Sequence, residues 1–235
     1  MQIKELKIYA RNFSKQVEFY AKIIGLTLID ISENQAVFQI GKSKLKIVGS
    51  DKFKPYHFAI NIPCNQEIRA LKWLKERVEI LKNGIHEIQD FDFWNAKAIY
   101  FYDRDHNIVE FIARKNLQNG TEEEFDVNSL LEISEIGIPV SDIETIFNRL
   151  NAMANLQKYD GGFERFCAIG DENGLFICIN KQLKDWFPTG DKAHSSAFAI
   201  KFKENERDYD LEFSNGEIKA IANDEYDKGK STRII

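Results

Sequence analysis

A unit of one strand, one helix and three further strands recurs along this chain of 235 residues. In the first copy, residues 3–10 alternate as a strand, Asn12 caps a helix with apolar residues at helical spacing, and Gly25 ends that helix. Turn residues then separate three short strands at 27–31, 35–40 and 44–48. The repeat predicts a fold assembled from copies of one module.

The second copy repeats this order of elements. Its first strand, 56–62, ends at Pro63, and a helix at about 65–82 ends at Asn83-Gly84. Its three further strands are predicted at 85–88, 96–102 and 108–113.

The third copy begins at Leu131 and the fourth is reduced. A strand at 135–140 leads into Ser141-Asp142, which caps a helix with apolar residues at helical spacing. The later strands are predicted at 164–169, 175–180 and 197–202, with a hairpin at 209–220. No long helix is visible in this last part, so a fourth unit would be degenerate.

The units predict an α+β protein built from paired modules. One complete pair is expected at 1–115, and a polar, acidic segment at 116–129 is expected to link it to a second, partly truncated pair at 130–235. The polar last dozen residues are expected to fray.

The composition excludes several classes of function. Basic residues are scattered among acidic ones and the net charge is -5, so no cationic surface for nucleic acid is expected. The N-terminus lacks a signal pattern and no apolar run is long enough to span a membrane, so a cytoplasmic protein is expected. Cys64, Cys167 and Cys178 are too dispersed for a disulfide framework and are expected to be reduced thiols.

Glu110 requires a partner. It lies between Ile108 and Ile112 on a strand face that is otherwise apolar. A carboxylate there costs on the order of several kcal/mol unless a metal ion, a cation or hydrogen-bond donors meet it. The alternation also directs Glu5 and His57 away from the helices, on the same side as Glu110.

Three segments carry a family resemblance. They are Asn12-Phe13 through Glu18-Phe19-Tyr20 to Ile24-Gly25-Leu26, the strand opening Tyr56-His57-Phe58-Ala59, and the turn Tyr102-Asp103-Arg104-Asp105-His106-Asn107-Ile108-Val109-Glu110. Over residues 3–114 the chain resembles the vicinal oxygen chelate superfamily, which includes glyoxalase I, extradiol ring-cleavage dioxygenases, and bleomycin and fosfomycin resistance proteins. The resemblance implies paired units whose sheets curl into an open cup around a metal.

The resemblance also implies a set of ligands. The family positions correspond to Glu5 and Lys46 in the first unit and to His57 and Glu110 in the second. A protonated Lys46 cannot coordinate, which argues against a glyoxalase I site. Glu5, His57 and Glu110 would form a facial triad for Fe, Mn, Zn or Ni with one histidine replaced, closest to the extradiol type. Glu135, the third unit's counterpart of Glu5, has no second ligand on 175–180, so that unit is expected to support or cover the pocket.

Two tyrosines are candidate substrate contacts. Tyr100 precedes Glu110 by about the spacing at which extradiol enzymes keep a tyrosine that binds the substrate hydroxyl, so a catalytic role is expected for it. Tyr102 is a second candidate for contact with the substrate. The acid-base histidine of those enzymes has no counterpart, because Phe91, Asp92 and Phe93 occupy its stretch.

Three functions remain open from the sequence. The first is a metal-dependent enzyme acting on a small substrate with vicinal oxygens, closest to extradiol dioxygenases of the catechol type. The second is a metal-free protein that binds or sequesters a small molecule, in which Lys46 neutralises Glu110 and contributes to the ligand site. The third is a structural or regulatory scaffold. The expected partner is a small molecule, with a homodimer as the expected assembly if the chain associates.

Overall fold

The computed structural model describes residues 1–221 as two open β-sheets with helices packed on them. The first two units comprise β1 (Gln2–Ala10), α1 (Phe13–Glu18, continued by a π-helical segment at Phe19–Ile24), β2 (Thr27–Ile31), β3 (Gln35–Ile40), β4 (Ser43–Gly49), β5 (His57–Ile62), α2 (Glu67–Lys75), β6 (Ile80–Leu81), β7 (Gln89–Phe91), β8 (Ala96–Tyr102) and β9 (Ile108–Arg114). The expectation of a frayed tail falls on residues outside the described range.

The rest of the described chain forms a third unit and a reduced fourth one. Its elements are β10 (Glu132–Val140), α3 (Ile143–Ala154), β11 (Lys158–Gly162), β12 (Phe166–Asp171), β13 (Gly174–Asn180), β14 (Phe198–Glu204), β15 (Arg207–Ser214) and β16 (Glu217–Ala220). The α+β class and the open sheets are confirmed.

The units pair differently from the prediction. One sheet has the order β16-β15-β14-β1-β4-β3-β2, and the other has the order β11-β12-β13-β10-β5-β9-β8-β6, with β7 paired to β8. The first unit therefore joins the fourth through β1 and β14, and the second joins the third through β5 and β10. The expected pairing of the first unit with the second is not found. All units share one local pattern, so the choice of partner depends on side-chain packing between distant strands.

A shared apolar core holds the two sheets together, and a turn at Gly41 fixes their contact. Ser43 donates from Oγ to the carbonyl of Ile3 at 2.6 Å and accepts from the backbone N–H of Ile133 at 3.0 Å. A Cβ at Gly41 would lie 1.8 Å from the carbonyl oxygen of Leu131, and Gly41 also has a positive φ of 49°. The approach of the two sheets thus requires glycine at this turn.

The helices differ from the prediction in their ends. Gly25 ends the first helix in a left-handed conformation, and Asp142 caps α3 by accepting from the N–H of Thr145, both as predicted. Asn12 makes no cap hydrogen bond with its side chain, because its amide donates to Asp105 instead. The second helix ends at Lys75 rather than near residue 82, since the chain turns there to enter β6.

The predicted linker lies against the second helix. Carbonyl oxygens of Thr121 and Glu123 accept hydrogen bonds from the Gln66 side chain, and Arg69 donates to the carbonyls of Glu122 and Glu123. Cys167 and Cys178 are buried free thiols. Within residues 1–221, no helix has the length and apolar character needed to cross a membrane.

Candidate metal-binding pocket

Three neighbouring strands of the nine-stranded sheet bring an imidazole and two carboxylates together. Ala59 on β5 lies in register with Glu135 on one side and with Glu110 on the other, and Glu110 in turn lies opposite Tyr100. Residues in register share a face of the sheet, and His57, two residues before Ala59, shares it as well. The small Ala59 leaves space above β5 into which both carboxylates reach.

The three side chains are close enough to hold one ion. Nε2 of His57 lies 3.5 Å from Oε2 of Glu110 and 3.7 Å from Oε2 of Glu135. The ligand atoms all lie within 4.8 Å of one another, and all three residues are buried. Nδ1 of His57 lies 3.3 Å from the carbonyl oxygen of Ile108, and an Nδ1–H donated to that oxygen leaves the Nε2 lone pair facing the carboxylates. This donor set suits a divalent transition-metal ion.

The charge of Glu135 disfavours the ionised form of Glu110. Burial raises the pKa of Glu110 well above its usual value, and the charge of Glu135 raises it further. Arg114 and the Tyr100 hydroxyl lower the pKa of Glu110, but they do not cancel the effect of burial. A bound cation would relieve this repulsion, so the cluster fits a metal ion electrostatically.

Arg114 supplies a positive charge beside the cluster. It is fully buried and donates from Nη2 to Oε1 of Glu135. Its Nε donates to Oδ1 of Asn61 at 3.3 Å, and its guanidinium lies 5.3 Å from the centre of the Trp94 ring. Oε2 of Glu135 is the oxygen nearer His57, so Arg114 and an ion at the cluster would engage different oxygens of this carboxylate.

The cluster lies in a pocket of about 340 Å³ whose walls are mainly aromatic. The Trp186 ring lies 4.9 Å from the His57 ring, and the Phe187 ring lies 5.7 Å from that of Tyr100. The other aromatic residues of the wall are Phe91, Phe93, Trp94 and Phe166. An aromatic pocket above a polar cluster is typical of a site for a flat organic ligand.

The segment 181–197, which we call the covering segment, closes one side of the pocket. It connects β13 to β14 and contributes Lys184, Trp186 and Phe187 to the wall. Tyr102 donates to Oδ2 of Asp191 at 2.5 Å, which ties this segment to the end of β8. Tyr102 does not line the pocket, so its observed role is to anchor the covering segment.

The structure brings together some of the predicted site residues. His57, Glu110 and Tyr100 all line the pocket. Burial and the two carboxylates raise the pKa of Tyr100 well above its usual value, so the phenol stays protonated near neutral pH and can donate a hydrogen bond.

Glu5 and Lys46 lie elsewhere. Glu5 is in register with Lys44 and Lys201 in the seven-stranded sheet, and Lys46 lies opposite Lys7 in the same sheet. Neither residue belongs to the cluster, because β1 pairs with β14 of the fourth unit and with β4, and neither β1 nor β4 pairs with β5. The expected third ligand Glu5 and the expected pairing of Lys46 with Glu110 are therefore wrong.

Sequence reasoning missed Glu135 and Arg114 as parts of the site. Glu135 occupies on β10 the position that Glu5 occupies on β1, so the repeat had identified it, but its partners were sought on the wrong strands. Arg114 follows Glu110 by four residues and shares its strand face, a spacing that could have identified it. The third unit lines the pocket, as expected, and through Glu135 it also offers a candidate ligand, which was not expected.

Comparisons with known proteins agree with this fold. No family model matches the chain. The metallothiol transferase FosB of Staphylococcus haemolyticus is 31% identical over 116 residues, covering 46% of this chain and 80% of that protein. The uncharacterized protein YraH of Bacillus subtilis is 24% identical over 126 residues, covering 47% of this chain and 96% of that protein.

Among solved structures, a provisionally assigned dioxygenase from Bacillus subtilis matches with a TM-score of 0.57 and 13% identity. The match covers 76% of this chain and 63% of that chain, and at this identity it supports the fold alone. The FosB match, at 31% identity over 80% of that protein, shows that the chain belongs to the vicinal oxygen chelate superfamily, and the fold agrees with this.

Proposed function

We propose that this protein is a metal-dependent enzyme that acts on a small substrate with vicinal oxygens. The observation that carries the proposal is the convergence of His57, Glu110 and Glu135 at an aromatic pocket. The name of FosB, a metallothiol transferase, describes metal-dependent chemistry in a relative and supports the same class here.

Three residues would hold the ion. Nε2 of His57 and one oxygen from each of Glu110 and Glu135 form a set of three ligands for Fe, Mn, Zn or Ni. A set of three protein ligands leaves coordination positions for a substrate. When bound, the ion would supply Lewis-acid activation of the substrate oxygens.

Tyr100 and the aromatic wall would position the substrate. The Tyr100 phenol, next to Glu110, would donate a hydrogen bond to a substrate oxygen. Trp186 and Phe187 would cover the substrate ring and exclude water. The aromatic wall favours a catechol-like ring, and we propose extradiol-type ring cleavage as the closest reaction, with dioxygen as the oxidant and both of its oxygen atoms entering the cleaved product. His57 is the histidine of the pocket wall and would be occupied as a ligand, so the acid-base histidine has no replacement in this proposal, and Tyr100, which stays protonated, supplies a hydrogen-bond donor.

Metal analysis of protein prepared without chelators tests the proposal. The wild type should carry about one equivalent of a transition metal, whereas His57→Ala and Glu135→Gln should each bind the metal at least about tenfold more weakly. His86→Ala is a matched control, because His86 is exposed and does not belong to the pocket wall. Wild-type protein without stoichiometric metal, together with unchanged ligand affinity in His57→Ala, would contradict the proposal.

A second candidate function is metal-free binding of an aromatic cation. The observation that favours it is the buried Arg114, which offsets the charge of Glu135 without any metal. Arg114 thus supplies a neutralising positive charge, the role that the sequence had suggested for Lys46. Calorimetric titration of chelator-treated protein with phenyltrimethylammonium distinguishes the two functions. Binding that is insensitive to added Mn²⁺ would favour the binder, and displacement of the probe by Mn²⁺ would favour the metal site.

A further inference from the structure

We propose that the substrate of this pocket carries an anionic group at the end remote from His57, and that Lys184 binds this group. The inference rests on the proposed function for the chemistry at the His57 end. It concerns the other end of the same pocket, where Lys184 lines the wall beside Phe166.

Lys184 is held at the pocket wall in a half-buried position. Its backbone N–H donates to the carbonyl of Asn180 at 2.9 Å, directly after β13. Its ammonium lies 4.8 Å from the centre of the Phe166 ring. The ammonium therefore faces the aromatic wall, where it is less hydrated than an exposed lysine.

The charge of Lys184 is not compensated. Burial lowers the pKa of Lys184, and the neighbouring positive charge of Arg165 lowers it further. Arg165 donates to the carbonyl oxygen of Leu183, and among residues 1–221 no carboxylate forms an ion pair with Lys184 or with Arg165. Asp160 also lines the pocket, but its Oδ2 accepts a hydrogen bond from Nε1 of Trp94 at 2.6 Å. An anion bound at Lys184 would relieve the repulsion between the two cations.

The position of Lys184 relative to the acidic cluster defines the shape of the ligand. Phe166 lies on β12 and pairs with Ile179 of β13, whereas Glu135 lies on β10. Two strand spacings separate β12 from β10, about 10 Å across the sheet, and Ile179 lies four residues along β13 from Leu175, the partner of Glu135, or about 13 Å along the strand. The aromatic wall lies between the two ends. A ring with vicinal oxygens at one end and a carboxylate at the other matches this distribution of charge.

A pair of matched probes tests the inference. The probes are 3,4-dihydroxybenzoate and 3,4-dihydroxybenzamide, which have nearly the same shape and differ in the charge of one group. Dissociation constants would be measured by anaerobic calorimetry on Mn²⁺-loaded and on chelator-treated protein. Wild-type protein should prefer the benzoate about tenfold or more, since a hydrogen bond to a charged group in a partly buried site is worth that ratio.

Three variants locate the source of this preference. Lys184→Met should bind both probes with similar affinity, and Lys184→Arg should retain the preference. Lys158→Met is the matched control, because Lys158 lies 5.9 Å from the Phe163 ring in a similar contact outside the pocket wall. It should behave as the wild type.

The outcomes separate this inference from the proposed function. One outcome is that the protein binds no metal and still prefers the benzoate through Lys184. This would support the inference and contradict the metal-dependent enzyme. Metal binding through His57 with equal affinity for both probes would overturn the inference alone. A preference that survives in Lys184→Met, or the failure of both probes to bind, would also overturn it.

Discussion

Arg114, the last residue of β9, donates to Glu135 in the middle of β10. Both side chains are almost fully buried. If Glu110 and Glu135 are both ionised and His57 is neutral, the positive charge of Arg114 leaves the cluster with one net negative charge. A site with one carboxylate and neutral histidines would carry the same net charge. The ion pair thus offsets the charge of one of the two carboxylates in the cluster.

Replacing Arg114 should make folding depend on metal. In Arg114→Met, the unpaired Glu135 should lower the free energy of unfolding by about 3 to 5 kcal/mol, and Mn²⁺ should restore a large part of this loss. Denaturant unfolding with and without Mn²⁺ measures both effects. Arg77→Met is the control. The Arg77 guanidinium stacks on Trp73, 4.1 Å from the centre of its ring, and neither residue belongs to the pocket wall. Equal Mn²⁺ stabilisation of both variants would contradict this prediction.

A side chain at Gly137 should displace Trp186. A Cβ at Gly137 would lie 2.6 Å from two atoms of the Trp186 ring, which is too close for ordinary contact. Gly137→Ala should therefore move the ring away from His57, shift the tryptophan emission and weaken binding of 3,4-dihydroxybenzoate by about tenfold. Gly162→Ala, where a Cβ meets nothing within 4 Å, is the control. An unchanged emission spectrum in Gly137→Ala would show that the covering segment adapts without cost.

Removing the Tyr102 hydroxyl should loosen the covering segment. Tyr102→Phe loses the hydrogen bond to Asp191 and should cost about 1 kcal/mol of stability. Amide hydrogen exchange should become faster around Trp186, because its N–H bonds to the carbonyl of Asp191. A direct contact of Tyr102 with the substrate predicts the opposite pattern, with weaker binding and unchanged exchange.

Asp103 should make stability depend on pH. It is buried and accepts hydrogen bonds from Gln16, Tyr20 and Asn107. Burial raises its pKa from 3.8 to about 6, so between these values the folded state binds more protons than the unfolded state. The free energy of unfolding contributed by Asp103 is therefore greatest below about pH 4 and falls by roughly 3 kcal/mol as the pH rises through 6.

Comparison with Asp103→Asn isolates this effect. The asparagine does not titrate, so the variant should lack this part of the slope, whereas Glu110 contributes equally to both proteins. Denaturant unfolding at pH 4, 5, 6 and 7 provides the measurement. Parallel curves for the two proteins would show that Asp103 does not change its pKa on folding.

Sequence reasoning succeeded where the signal was local. The strand alternation around His57 and Glu110 predicted the correct face for both, and Gly25 and Asp142 were correctly placed at helix ends. The turn at Asp103 to Asn107 was also predicted between the last two strands of its unit. These features depend on side-chain periodicity and on backbone conformations that single residues favour.

The third candidate ligand could not be derived in the same way. Glu5 and Glu135 occupy equivalent positions in their units, and nothing local distinguishes them. The sequence by itself determined the repeated unit, the face of each strand and the need of Glu110 for a partner. The tertiary structure alone decided that β5 pairs with β10, because that choice depends on packing between strands far apart in the chain, and it thereby selected Glu135 and Arg114 for the site.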